Sequence, residues 1–251
     1  MYKILAKTLF VGRKLHYLPS CHSTNDIASE LLAQKKATEG TLIITDDQIA
    51  GRGQRGNAWE SVPYQNVTLS VVLLPNFLHP KDQFLMTMMI SVALIDLLCA
   101  FLPDGLRIKW PNDIYYYDRK IAGILIESAI QQEDIESTII GIGLNVNQSQ
   151  FITPNAISLF QITNRQFHLE GIISRLCETM EKRYLELKGG DWTTLKSTYS
   201  KSLYRLNQVH RFQSTEAFTG KIRGVEDTGK ICIEVNGKIL TFDFKEVKFI
   251  A

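Results

Sequence analysis

Six polar side chains interrupt otherwise apolar segments of the sequence, at turns and at the ends of predicted strands: Arg52, Arg55, Lys109, Asn112, Asp113 and Lys120. Four cations and one carboxylate placed near glycines suit phosphate chemistry, in which positive groups neutralise a polyanion. The Asp113 carboxylate is a candidate Mg²⁺ ligand, since proteins hold Mg²⁺ through one or two carboxylates together with phosphate oxygens. Any one of these charged residues is typical of a solvated surface, but their shared position at strand ends and glycine turns favours a common site.

Two of the cations belong to a glycine-rich run, Gly51-Arg52-Gly53-Gln54-Arg55-Gly56-Asn57-Ala58-Trp59. Glycines let the backbone approach a ligand closely, and exposed backbone N–H groups form an anion-binding concavity. Arginines add bidentate donors for phosphate or carboxylate. The run therefore predicts a loop that holds a negatively charged small molecule. The alternative is a solvated surface loop, and the tryptophan argues against disorder there.

The same run spells G-x-G-x-x-G, which in dinucleotide-binding folds follows a strand, opens a helix and precedes an acidic residue about 20 positions later. A strand is predicted over residues 41–45, but residues 57–63 lack a helical period and end in Pro63. Residues 71–75, where the acid should fall, are apolar. The dinucleotide interpretation is therefore disfavoured, and the sequence also lacks a G-x-x-x-x-G-K-[ST] loop and the kinase motifs.

Composition narrows the classes of protein. The 251 residues, 45% of them hydrophobic, allow one large domain or one domain with a small companion. A net charge of +2 without a lysine/arginine block predicts no nucleic-acid partner. The four cysteines form no C-x-x-C pair, which argues against a zinc site or disulfide scaffold and predicts a cytoplasmic location. The apolar residues 84–102 contain Thr87, Ser91 and Asp96, so a buried core helix is predicted rather than a membrane span.

Local patterns place these residues on a scaffold. Ser23-Thr24-Asn25-Asp26 precedes a helical apolar pattern and predicts an N-cap; the alternative is that the same groups bind a polar ligand. Further patterns predict strands over 66–74, 107–110, 114–117, 121–127 and 137–147, and helices over 168–187 and from 191 to about 206. Glycines inside the strand 137–147 indicate close approach by another group. From Val209 onward, short strands and tight turns predict a small β-barrel, which divides the chain into a catalytic domain, 1–206, and a C-terminal domain, 207–251.

In five ordered blocks the sequence resembles the biotin protein ligases, also called biotin–acetyl-CoA-carboxylase ligases: Ser-Thr-Asn at 23–25, Gln-Ile-Ala-Gly-Arg-Gly at 48–53, Lys-Trp-Pro-Asn-Asp at 109–113, Asp-Arg-Lys-Ile-Ala-Gly-Ile-Leu-Ile-Glu at 118–127 and Gly-Ile-Gly-Leu-Asn-Val-Asn at 141–147. The resemblance runs over most of the chain. It implies an α+β fold with a mixed central sheet and helices on one face, of the class II synthetase and biotin-lipoyl ligase type. A small SH3-like β-barrel is expected to follow.

The resemblance also implies a two-step reaction. Biotin is activated by ATP as biotinyl-5′-AMP, with Mg²⁺ and release of pyrophosphate, and is then transferred to a lysine of a biotin carboxyl carrier protein or domain. The implied catalytic residues are Lys120, Arg52 and Lys109. The implied biotin-binding residues are Ser23, Thr24, Asn25, Gln48, Arg52, Gly53, Gln54, Lys120 and Gly123. The implied ATP- or adenylate-binding residues are Arg52, Arg55, Trp59, Lys109, Asn112, Lys120 and Asn145, and the implied metal ligand is Asp113.

Several points stay open at this level. Many family members carry arginine where this chain has Gln54, which cannot supply a positive charge; either Arg52 or Arg55 substitutes, or the adenylate is held less tightly. Some members carry an N-terminal DNA-binding domain and act as repressors. About 20 residues precede Ser23, so no operator binding is expected. Either a monomer or a homodimer is compatible with the sequence. The rival interpretations are a lipoate ligase and a non-catalytic nucleotide-binding interaction protein.

Overall fold

The structure, a computed structural model, describes residue 2, residues 4–53 and residues 58–250. Within these ranges the helices are α1 (Thr24–Ala33), α2 (Phe84–Cys99), α3 (Leu159–Thr163), α4 (Leu169–Lys188) and α5 (Trp192–Lys201). The strands are β1 (Leu15–Cys21), β2 (Leu42–Gln48), β3 (Val67–Leu73), β4 (Leu106–Lys109), β5 (Asp113–Tyr116), β6 (Arg119–Gln131), β7 (Asp134–Leu144), β8 (Val209–Gln213), β9 (Ala217–Val225), β10 (Ile231–Val235), β11 (Lys238–Phe242) and β12 (Lys248–Ile250).

Seven strands form a mixed central sheet in the order β1-β2-β3-β7-β6-β5-β4. Strands β1 and β2 are parallel and are joined through α1, whereas the other neighbours are antiparallel. Antiparallel pairing follows from the short connections between β4, β5, β6 and β7, which do not allow a crossover. The predicted mixed sheet is confirmed.

The sheet is covered on both faces. Side chains alternate along a strand, and in β3 Val71 belongs to the large core that contains α2 and α4, while Val72 packs with Ala28 of α1 in a smaller core. This double burial explains why β3 reads as a continuous apolar run. The expected helices on one face are α2, α4 and α5, whereas α1 lies on the opposite face. The polar residues of the implied site share that opposite face with α1.

Helix α2 is apolar around its whole circumference because it is buried between the sheet and α4. Residues Pro80–Cys99 are long and apolar enough to cross a membrane, yet most of them are buried inside this fold. The charged residue of the helix, Asp96, accepts a hydrogen bond of 2.6 Å from Arg183 of α4. The structure therefore agrees with the predicted core helix.

Helix α5 ends earlier than predicted. The backbone after Lys201 pairs with strand β4, where Ile108 donates to Ser202 O at 2.8 Å and Tyr204 donates to Ile108 O at 2.8 Å. A segment whose backbone groups pair with a sheet edge cannot also satisfy them within a helix. The prediction of a helix to about residue 206 is wrong for this reason.

The five C-terminal strands form an antiparallel sheet in the order β11-β10-β9-β8-β12, consistent with the expected SH3-like barrel. This sheet packs directly on the central one, because Trp110 Nε1 donates to Gly229 O at 2.9 Å and the Trp110 and Phe244 rings lie 5.4 Å apart. Lys196 of α5 and Asp227 form an ion pair of 2.6 Å across the same junction. The division into domains 1–206 and 207–251 stays a prediction; β8 begins at Val209.

His210 makes this junction sensitive to pH. Burial, Arg205 and Lys109 lower its pKa below the ordinary value of 6.5, against a smaller opposite effect of Asp118. The imidazole of His210 therefore binds a proton more readily in the unfolded chain than in the folded one. As a result, its contribution to the free energy of unfolding is complete above pH 6.5 and is lost as the pH falls below that value. We expect the melting temperature to drop from pH 7.5 to pH 5.5, and the drop to be smaller in His210→Gln. Thermal melts of both proteins across this range test the expectation, and equal pH slopes would contradict it.

Candidate active site

A cavity of about 380 Å³ opens on the α1 face of the central sheet, at the ends of β2 and β4 and along β6 and β7. It is lined by twelve residues that the sequence predicted for the site: Ser23, Thr24, Asn25, Gln48, Arg52, Gly53, Trp59, Lys109, Asn112, Asp113, Lys120 and Gly123. Residues from five separate segments thus meet in one place. Gln54 and Arg55, also predicted, lie outside the described residues. Asn145 is described but does not line the cavity.

One end of the cavity is polar and uncharged. Ser23 stands at the N-cap position of α1, as predicted, but its side chain makes no capping hydrogen bond. The next residue, Thr24, donates its backbone N–H to Gln48 Oε1 at 2.9 Å. Its hydroxyl oxygen lies 2.6 Å from that of Ser70 on β3. The capping and ligand-binding alternatives are therefore not exclusive, because the helix begins here without consuming the Ser23 hydroxyl.

Asn25 is fixed at this end by two partners. Its Oδ1 accepts from Ser70 Oγ at 2.6 Å, and its Nδ2 donates to Glu127 Oε2 at 2.6 Å. The side chain lies against the backbone of β7 at Gly141, where an added Cβ would come 3.1 Å from Asn25 Cγ. Ser70 was not predicted as a site residue, although the two hydroxyl residues within the apolar run of β3, Thr68 and Ser70, were a signal that could have found it.

Arg52 lies at the mouth of the cavity with its side chain 48% exposed. It is ion-paired with Asp26 of α1, and its Nη2 lies 3.9 Å from Glu127 Oε1. The backbone of Arg52 forms an antiparallel bridge with Ala58. The two ends of the glycine-rich loop are thus paired, although the residues between 53 and 58 lie outside the described part of the chain. Whether Arg52 or Arg55 compensates for Gln54 stays open.

Trp59 lines the cavity beside β6 and β7. A Cβ at Gly143 would lie 2.5 Å from Trp59 Cζ2, and one at Gly123 would lie 3.0 Å from Cζ3, so the indole rests on the backbone of β6 and β7. This contact confirms the expected close approach at the glycines of β7. The indole Nε1 is buried and, among the described residues, has no hydrogen-bond partner. A buried N–H of this kind is a donor available to a ligand acceptor.

Beyond the indole lies the pair Lys120–Asp113. Lys120 Nζ and Asp113 Oδ1 are 2.7 Å apart, and Nζ lies 5.4 Å from the centroid of the Trp59 ring. Strand register places Asp113 of β5 opposite Lys109 on β4 and opposite Gly123 on β6. The one carboxylate among the described lining residues is therefore surrounded by the strands that carry the two lysines.

Lys109, the second of these lysines, is partly buried. Burial lowers its pKa, against the opposite effect of Asp113. Its Nζ donates to Tyr115 Oη at 3.0 Å and lies 5.2 Å from the Phe249 ring centroid. Phe249, with Val247 and Lys248, brings the C-terminal sheet into the cavity wall. Sequence reasoning missed these three residues, and a short strand with one lysine carries no signal that would reveal them.

Two predicted residues hold the backbone of the site. Asn112 donates its side-chain N–H to Ile124 O and accepts from Ile124 N at 3.1 Å through its backbone, which fixes β6 beside the turn. Asn145 donates from Nδ2 to Ile157 O at 3.1 Å, and Ile157 N donates to Lys120 O at 2.9 Å. Asn145 thus supports Lys120 through the backbone of Ile157 and does not itself line the cavity.

The charge pattern defines what the cavity suits. Its described lining carries four cations, from Arg52, Lys109, Lys120 and Lys248, but a single carboxylate, from Asp113. Such a surplus favours a polyanion, whereas the Ser23–Gln48 end suits a neutral ligand group with several hydrogen-bonding atoms. Within the described ranges no group of three or more His, Cys, Asp or Glu side chains is arranged to hold a metal ion. A metal at Asp113 would therefore depend on ligand oxygens for most of its coordination.

Comparison with known proteins agrees with this site. The biotin/lipoate A/B protein ligase family model matches residues 17–145. The bifunctional ligase/repressor BirA of Bacillus subtilis strain 168 is 33% identical over 236 residues, which cover 92% of this chain and 72% of that protein. The biotin–[acetyl-CoA-carboxylase] ligase of Mycobacterium tuberculosis is 26% identical over 243 residues, which cover 94% and 88% of the two chains.

A solved structure shares the fold. The biotin protein ligase from Aquifex aeolicus in complex with biotin and ATP superimposes with a TM-score of 0.80 at 21% identity, covering 95% of this chain and 100% of that chain. The fold is the one found in that biotin protein ligase. The chain belongs to the biotin/lipoate A/B protein ligase family.

Proposed function

We propose that the chain is an ATP-dependent biotin–protein ligase. In the first step a carboxylate oxygen of biotin attacks the α-phosphorus of ATP; the new O–P bond forms as the bond to the β-phosphate bridging oxygen breaks and pyrophosphate leaves. In the second step the ε-amine of an acceptor lysine attacks the acyl carbon of biotinyl-5′-AMP. The C–O bond to AMP then breaks, and the amine loses a proton as the amide forms.

The observation that carries the proposal is that Lys120 lines the same cavity as the polar residues Ser23, Thr24, Asn25 and Gln48 and the cations Arg52, Lys109 and Lys248. The first step brings one anion onto another, so a fixed cation between them reduces their repulsion and stabilises charge that moves to the leaving group. Lys120 has this position because Asp113 holds its Nζ at 2.7 Å and the backbone of residues 155–157 holds its main chain. Lys109 and Lys248 then neutralise the charge of the remaining phosphates.

Biotin is favoured over lipoate by the polar end of the cavity. The ureido head of biotin has two N–H donors and one carbonyl acceptor, whereas the dithiolane head of lipoate has none of these. Ser23, Thr24, Asn25 and Gln48 gather hydroxyl and amide groups there, and all but Gln48 are buried. Buried polar groups left unpaired by a dithiolane would disfavour lipoate.

ATP–pyrophosphate exchange tests the proposal. Radiolabelled pyrophosphate should enter ATP when biotin is present, and should not when lipoate replaces it. Exchange with lipoate alone would favour the rival ligase, and no exchange with either acid would favour a non-catalytic nucleotide-binding protein. The second step is followed by mass spectrometry of a biotin carboxyl carrier domain, which should gain biotin on one lysine.

The proposal extends to the metal, the partner and the location. Mg²⁺ would arrive with ATP and neutralise its phosphates, with Asp113 as the candidate protein ligand. The acceptor is the carrier protein or domain of acetyl-CoA carboxylase or a related carboxylase; the name of the M. tuberculosis relative supports this choice. Four free cysteines support reaction in the cytoplasm. No DNA-binding or membrane role is proposed for these residues, and either a monomer or a homodimer is compatible with the proposal.

Lys248 gives a prediction for the C-terminal sheet. It is exposed at the wall of the cavity and adds positive charge where the phosphates are expected. We expect Lys248→Ala to raise the KM for ATP by about three- to ten-fold, since a solvated charge pair contributes about 1 kcal/mol, while the KM for biotin stays constant. Initial exchange rates at varied ATP and biotin measure both constants. Lys245→Ala, which removes a lysine three residues away, is the control, and equal behaviour of the two variants would contradict the role.

A further inference from the structure

The carboxylate of Glu60 connects the segment that follows Trp59 with the segment around Ile152. Glu60 follows Trp59 directly, and its two oxygens accept the backbone N–H groups of Ile152 at 2.9 Å and Thr153 at 2.7 Å. Oε1 also accepts from Gln148 Nε2 at 3.3 Å. A carboxylate that accepts from two successive backbone N–H groups is bound as an anion, and such charge-assisted bonds are stronger than neutral ones.

A second connection runs beside the first. The side chain of Gln148 is buried, and its Oε1 accepts from Val62 N at 3.0 Å and from Asn66 Nδ2 at 2.5 Å. The segment 60–66 is therefore attached to the segment 148–153 at both of its ends. Ile152, whose backbone Glu60 holds, has a side chain that is 93% exposed. Apolar packing of that side chain therefore contributes nothing to the position of this segment.

Each of the two attached segments is connected to a residue that lines the cavity. Segment 60–66 begins next to Trp59, whose indole lies on β6 and β7. Segment 148–157 ends at the main chain of Lys120, where Lys120 N donates to Asn155 O at 2.6 Å. Glu60 thus connects the segment next to Trp59 with the segment that binds the backbone of Lys120.

Glu60 is ionised at neutral pH. Partial burial alone would raise its pKa, but the hydrogen bonds from residues 152, 153 and 148 outweigh it, so the pKa lies below the ordinary value of 4.5. A glutamine in this place would lose one acceptor oxygen and direct an NH₂ donor at a backbone N–H. That arrangement leaves a donor without a partner, which costs more than the lost hydrogen bond itself.

We propose that Glu60 is a positioning residue that holds Trp59 and the Lys120 segment at a fixed separation, and thereby sets the affinity for the nucleotide. This proposal rests on the proposed function, since it assigns the space between Trp59 and Lys120 to ATP and the adenylate. Among the described residues, no hydrogen bond or ion pair joins Glu60 to Ser23, Thr24, Asn25 or Gln48, which form the polar end of the cavity and would take the biotin head. Nucleotide affinity and biotin affinity should therefore respond differently to a change at this residue.

The test is Glu60→Gln, with Glu133→Gln in the exposed β6–β7 turn as the control. Glu60→Gln should raise the KM for ATP and the rate of adenylate release about ten-fold, with the KM for biotin changed less than two-fold. The control should match the natural chain in all three. A Glu60→Gln enzyme with unchanged ATP affinity and adenylate release would overturn the proposal, as would equal increases in the KM for ATP and for biotin.

A structural measurement separates this proposal from the proposed function. Amide hydrogen exchange of Ile152 and Thr153 should be faster in Glu60→Gln than in the natural chain and the control, whatever reaction the enzyme performs. Unchanged exchange would overturn the role of Glu60 even in an active ligase. Faster exchange in a chain that fails ATP–pyrophosphate exchange with biotin would instead remove the nucleotide part of the proposal together with the proposed function.

Discussion

Replacing Lys120 by alanine should lower biotin-dependent ATP–pyrophosphate exchange by about 10²–10³-fold or more, the usual cost of removing one electrostatic stabiliser of a transition state. Two effects act in the same direction. The variant loses the cation between the two reacting anions. It also leaves the Asp113 carboxylate, which pairs with Lys120 Nζ at 2.7 Å in the natural chain, without that partner and near the phosphates. Single-turnover formation of biotinyl-5′-AMP measures the loss directly.

Asp113 provides a way to separate the two effects. In Lys120→Ala the KM for ATP should rise, and the additional change Asp113→Asn should not restore the rate, because it removes the unpaired carboxylate but does not replace the lost cation. Lys182→Ala, on the exposed face of α4, is the matched control and should behave as the natural chain. Retention of more than a tenth of the activity in Lys120→Ala would refute the assigned role.

Gly143→Ala should impair the enzyme more than its single methyl group suggests. The new Cβ would lie 2.5 Å from Trp59 Cζ2 and 2.6 Å from Nε1, so the indole has to leave its place on β7. Overpacking of this kind costs about 1–3 kcal/mol, which corresponds to an increase of roughly five- to hundred-fold in the KM for ATP. Steady-state kinetics measure the increase, and a change in the intrinsic fluorescence should accompany it.

Gly171→Ala is the matched control for this substitution. Gly171 lies in α4, and a Cβ there would meet no atom within 4 Å. Alanine is the better helix former, so this variant should be neutral or more stable by about 0.5–1 kcal/mol. If Gly143→Ala kept both its fluorescence and its ATP affinity, the indole would not occupy the position described here.

Much of the fold was predictable because local patterns agree with the tertiary structure. Strand β3 and helix α2 are predominantly apolar, which indicated double burial, and all of β3 and most of α2 are buried. The end of α5 was not predictable, because it depends on the pairing of residues 202–204 with β4, which is remote in sequence. Helix α3 was overlooked although its Ser158 and Gln161 form a capping box, a local signal that the sequence does carry.

The site shows the same division. Residues that occur in dense motifs, such as Lys120, Asp113 and Gly123, were found because several unusual features coincide within a few positions. Lys248 was missed because it is a single polar residue in a short strand and enters the cavity wall only through the pairing of β12 with β8. Ser70 was missed because it meets Thr24 and Asn25 only in the folded chain. The ion pair of Arg52 with Asp26 is likewise a property of the folded chain, where helix α1 lies beside the loop.

The wall formed by Val247, Lys248 and Phe249 has a consequence for biosynthesis. The part of the chain from β1 to β7 contains the polar end of the cavity and both central lysines, and it leaves the ribosome about one hundred residues before that wall does. In a nascent or truncated chain that ends before residue 247, the Phe249 ring is missing, and the side of Lys109 that it covers is exposed to water. Such a chain would meet ATP with an open site, so activity should appear only when synthesis has passed the last strand.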